Sequence, residues 1–110
     1  MRLQTTSIPA ALGALALGGC AALGPVAPPV TPAMVAASHG ASAGTLDAGR
    51  RIFAGKCTAC HTADPVGKYT PAEWRGIVGD MAHRTRLDPT QQSALLAYIE
   101  AARASLPMAD

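Results

Sequence analysis

Residues 57–61 read Cys57-Thr58-Ala59-Cys60-His61. Two thiols three positions apart on a helical turn, with an imidazole directly after the second, form a compact donor set. Zinc asks for about four ligands, and the only nitrogen donors outside this stretch are His39 and His83. No second cysteine pair is present. A disulfide between Cys57 and Cys60 would close too small a loop to constrain much. A redox dithiol of the C-x-x-C kind sits in a strand–helix framework, and the surrounding sequence has no convincing strand.

The remaining reading is C-x-x-C-H as the attachment signature of a c-type haem. The two thiols add across the vinyl groups of one porphyrin edge, and His61 is placed beneath the ring to bind iron through an imidazole nitrogen. One covalent haem c is therefore the expected cofactor.

Working outward, helices are expected on both sides. Asp47 or Thr45 caps a first helix with Gly49, Ile52 and Phe53 on one side and Arg50 and Arg51 directed elsewhere. Thr70-Pro71-Ala72-Glu73 is a capping box with proline at the first helical position. It starts a short helix carrying Trp74, Ile77 and Val78. Asp88-Pro89-Thr90-Gln91 repeats the device, and the helix it starts lays Leu95, Leu96, Ile99, Ala102 and Leu106 on one face. Ordinary helix packing without haem explains this pattern equally well; the cysteines decide between them.

With C-x-x-C-H, Trp74-x6-Met81 and the Asp88-Pro89 amphipathic run in place, residues 47–106 resemble a small class I cytochrome c, and the domain is expected over 46–110. That resemblance implies an all-α fold in which the N- and C-terminal helices cross, the haem serves as core, and a methionine binds the second haem face. Gly49, Phe53 and Tyr98 suit the family's helix-crossing contact. The candidates for the distal ligand are Met81, His83, Met108, Met34 and His39. Met81 lies twenty residues past His61, after Gly79, in what reads as a short loop between two capped helices. Met108 follows Pro107 near the terminus, and Met34 and His39 fall in a proline-rich stretch. Met81 is the expected ligand and His83 the runner-up. Trp74 is expected against the haem edge with its indole N–H toward a propionate. Arg84 and Arg86 are weaker candidates for neutralising propionates.

The N-terminal part is of a different character. No Asp, Glu, Lys or Arg occurs between Arg2 and Asp47. Met1-Arg2 followed by an apolar run describes a secretory signal over 1–19. Leu17-Gly18-Gly19-Cys20 resembles a bacterial lipobox, which implies acylation of Cys20, membrane anchoring and a periplasm-facing cell-envelope location. Residues 20–45, with Pro25, Pro28, Pro29 and Pro32, read as a semi-rigid tether of roughly 80 Å if extended.

From Asp47 onward there are eight Lys or Arg and seven Asp or Glu, nearly balanced. That balance gives no footprint for nucleic acid. So few aromatic residues in 64 positions make a thin core that a large apolar cofactor would complete. With both axial positions filled, the expected role is that of an electron carrier with an oxidoreductase or oxidase as redox partner, either a tethered shuttle or the cytochrome subunit of a periplasmic oxidoreductase complex, and not an enzyme activity. A haem-based sensor or minimal peroxidase with a displaceable distal ligand is the alternative.

Overall fold

A computed structural model of the chain describes residues 26–58 and 63–106. The expected signal peptide, Cys20, Cys60, His61 and Met108 lie outside the described residues. Those described form helices with no strand among them: α1 Pro32–Ala37, α2 Ala43–Gly55, a 3-10 turn Lys56–Thr58, α3 Pro71–Thr85 and α4 Pro89–Ala104.

Local chemistry accounts for each helix start. The Thr70 hydroxyl accepts from the Glu73 amide at 3.2 Å while the Glu73 carboxylate accepts from the Thr70 amide at 2.7 Å. Asp88 and Gln91 make the same reciprocal pair at 2.8 and 3.1 Å. Both capping boxes stand where the sequence placed them, each with proline in the first turn. The start of α2 differs. Ser42 caps it by accepting from the Thr45 amide at 3.1 Å. Asp47 lies inside the helix and pairs with Arg51 one turn on. Ala43 and Gly44 carry no hydrophobic period, so the first turn was invisible to a periodicity argument.

Helices α2 and α4 form the centre of the body. They approach so closely at Gly49 that an added Cβ would lie 2.7 Å from the Tyr98 Cβ and 2.8 Å from the Ala94 carbonyl carbon, with the Ala94 oxygen nearer still. Leu46, Phe53, Leu95, Tyr98, Ile99 and Ala102 are buried around this contact. Helix α3 packs on α4 and on the 3-10 turn, and α1 packs on α4 and α2.

The stretch 26–42 corrects the reading of 20–45 as a tether. Val26, Ala27, Val30, Val35 and Ala41 pack against the core, and Met34 is 1% exposed. The Tyr98 hydroxyl donates to the Pro28 carbonyl at 2.7 Å, and Arg50 Nε donates to the carbonyls of Ala27 and Pro28 at 3.3 and 3.2 Å. The body thus begins by Val26, not residue 46. The prolines, read as favouring an extended tether, fix φ and lower the entropy lost when this strap docks. Pro32 is the first residue of α1, behind a Thr31 cap. Six helical residues are too few to display a period.

Candidate functional site

The 3-10 turn at the end of α2 carries Cys57 to the edge of an apolar cavity of about 150 Å³. Phe53 and Cys57 line it from the α2 side, and Ala63, Asp64 and Tyr69 from the loop beyond the motif. Trp74, Ile77, Val78 and Met81 line it from α3, and Ile99 from α4. Burial pushes the Cys57 thiol up, so it is held as the neutral S–H at neutral pH.

The aromatic wall is ordered by specific contacts. Trp74 meets Phe53 edge-on with centroids 5.8 Å apart and Tyr69 edge-on at 5.2 Å. Its indole N–H donates to the Val66 carbonyl at 2.8 Å. The expected propionate partner for that N–H is therefore corrected: a buried main-chain acceptor holds it, as a buried indole donor requires. Asp64 accepts from the Tyr69 hydroxyl at 2.9 Å and from Lys68 Nζ at 2.7 Å. Donating to Asp64, and next to Tyr69, pushes the pKa of the Lys68 ammonium up. These bonds shape the 63–70 loop and put a carboxylate at the rim.

Met81 reaches the cavity from a different element than expected. Helix α3 continues through Gly76 and Gly79 to Thr85, so Met81 lies within a helix and not in a loop. Gly79 suggested an end, but a Cβ at either glycine would meet nothing and the backbone tolerates both. The chain leaves α3 only at Arg86, in the left-handed conformation at φ 55°, with Leu87 N–H returning to the Ala82 carbonyl at 3.1 Å.

Among the described residues, Met81 is the only methionine or histidine lining the cavity. His83 is exposed and lines a polar groove with Gly79, Asp80 and Arg84. Arg84 and Arg86 are exposed, and neither lines the cavity. Met34, on α1 of the strap, is buried in the core, and His39 is exposed after α1. Asp64 and Tyr69 were missed at the sequence level. Tyr69 beside a helix cap is a weak signal, and Asp64 gives none.

No family model, curated protein or solved structure matches the chain.

The donor set and lining suit a porphyrin in kind: a thiol, a thioether, three aromatic rings and aliphatic side chains. In size, a cavity of about 150 Å³ has room for one molecule of benzene. A cavity of that size is smaller than a whole macrocycle, so a porphyrin could enter it only by one edge, with lining side chains displaced around the rest.

Proposed function

We propose that this chain binds one haem c through Cys57 and Cys60, that His61 and Met81 are the residues that would hold its iron, and that the protein carries electrons with an oxidoreductase or oxidase as redox partner. On this reading the body is a compact variant of the class I cytochrome c fold. Its departure from that pattern is Met81 on a helix. The observation that carries the proposal is the convergence of Cys57, from C-x-x-C-H, and Met81 on one apolar cavity. Lipidation of Cys20 would hold the protein on a periplasm-facing membrane.

Bound iron would supply a one-electron couple whose potential is raised by a thioether ligand. The chain's own residues do the remainder. Cys57 and Cys60 would hold the group through thioether bonds, each thiol proton passing to a vinyl carbon as the C=C becomes a single bond, so that no oxidant would be needed. Phe53, Trp74, Val78 and Ile99 exclude water from the site. The Trp74–Val66 bond and the Tyr69–Asp64 bond hold the wall on the loop side.

The experiment is the full chain produced with haem-attachment machinery. Haem should stay with the polypeptide through denaturing electrophoresis, and the double change Cys57→Ala/Cys60→Ala should abolish this. Met81→Ala should remove the far-red thioether–iron band of the oxidised protein, while His83→Ala keeps it. Titratable thiols at both cysteines of the mature protein would end the proposal. An unaltered band in Met81→Ala would return the distal position to another donor.

A further inference from the structure

The distance between the expected lipid anchor and the helical body is short. Residues 21–25 alone separate Cys20 from Val26, where packing against the body begins. Six Cα–Cα steps span at most roughly 20 Å when fully extended. A body of about 80 residues has a radius of gyration of roughly 12 Å and is therefore roughly 30 Å across. The leash is shorter than the body it holds. It cannot pass around the body to let the far side meet the membrane.

Which side is near follows from the packing. Helix α1 touches α2 and α4 but makes no contact with α3. No residue of 26–42 lines the cavity, whose walls come from the C-terminal end of α2, the 63–70 loop, α3 and Ile99. The strap and the cavity therefore occupy different sides of the α2–α4 pair. From Val26 to Leu46 there is no Asp, Glu, Lys or Arg, and Pro29, Pro32, Ala33 and Ala36 are exposed; the exposed His39 is the one ionisable side chain of the stretch. Such a face meets a bilayer surface without burying a carboxylate, ammonium or guanidinium of its own, with the His39 imidazole left at the headgroup level. The nearby Arg50 has its Nε engaged by the carbonyls of Ala27 and Pro28.

We propose that the strap face, residues 26–42 over α2 and α4, lies against the lipid bilayer. The cavity with Cys57 and Met81 is then turned away from it, toward a partner protein approaching from the aqueous phase. This rests on the reading of Cys20 as lipidated. It replaces a domain sweeping widely on a long tether with one held close and oriented, and it disfavours a partner embedded beside it in the membrane plane.

The test uses the full lipidated chain on phosphatidylcholine/phosphatidylglycerol vesicles, with a benzophenone amino acid in place of Ala36 on the strap face or Gly79 on the exposed side of α3. After irradiation, lipid adducts counted by mass spectrometry should exceed those at position 79 several-fold when the probe is at 36. Equal or reversed yields overturn the proposal. Ala33 serves as the second strap position if the Ala36 variant loses its helical circular dichroism. Inserting about 20 Gly/Ser residues between Leu23 and Gly24 should erase the contrast; a contrast that survives would overturn the leash as its cause. The mass of the mature N-terminus reads the anchor separately: a Cys20 without acyl groups overturns the proposal. Missing haem with the contrast intact would sink only the electron-transfer reading.

Discussion

The Tyr98 hydroxyl shows how one atom ties distant parts of the chain together. It donates across seventy residues of sequence to the Pro28 carbonyl at 2.7 Å. Burial pushes its pKa up to about 12, with the Arg50 guanidinium beside it acting in the opposite direction. In the unfolded chain the phenol ionises near 10. Above that pH the unfolded state gives up its proton while the folded state keeps it, so stability falls as pH rises from about 10 toward 12 and is full below. Denaturant titrations at pH 9, 10.5 and 12 followed by circular dichroism should show this decline, and Tyr98→Phe should flatten it. An equal decline in the variant would place the alkaline sensitivity elsewhere. The sequence showed Tyr98 near enough to the first helix to meet Gly49 and Phe53, and its ring does meet Phe53, with centroids 6.0 Å apart. The hydroxyl's partner was not legible, because a main-chain carbonyl carries no side-chain signature.

At the scale of the elements, two glycines in helices have opposite roles. At Gly49 an added methyl meets the backbone of Ala94, which cannot rotate aside, so α2 and α4 must separate. Gly49→Ala should cost about 1–3 kcal/mol or more, as overpacking does. At Gly79 the same methyl meets nothing, and Gly79→Ala should gain up to about 1 kcal/mol from helix propensity alone. Thermal melts of the two variants should move in opposite directions; a shift of the same sign would show that the α2–α4 approach is not the constraint. This also explains what the sequence showed of the helices. Their starts at Thr70 and Asp88 are local chemistry, written in three or four adjacent residues. The end of α3 is not, because an exposed glycine interrupts a pattern on paper without breaking the helix. Placing Met81 in a loop followed from that, although its arrival at the cavity that Cys57 lines did not depend on it.

For the whole molecule, the decisive question is where the folded body begins. Charge patterning drew the line near Asp47, since every charge after Arg2 lies from there on. Packing draws it at or before Val26. The difference arises because an uncharged Ala/Pro/Val stretch is compatible with a solvated linker and with a strap laid along two helices, and only the partner surface distinguishes them. The surface here is the α2–α4 pair, which without the strap would leave the Tyr98 hydroxyl without its Pro28 acceptor and the side chains around Met34 without cover. Filling that site matters: truncating a buried methionine, as in Met34→Ala, costs about 2–5 kcal/mol. Deleting residues 26–42 adds the loss of the Arg50 and Tyr98 hydrogen bonds, of which a buried donor left unmade costs about 1–3 kcal/mol. Small domains hold only about 5–15 kcal/mol in all. Urea titration should therefore show the deleted chain with a sharply lowered midpoint or no cooperative transition. Met34→Ala should lie between it and the intact chain. A linker makes the opposite forecast, an unchanged midpoint for both, and that result would return the boundary to Asp47.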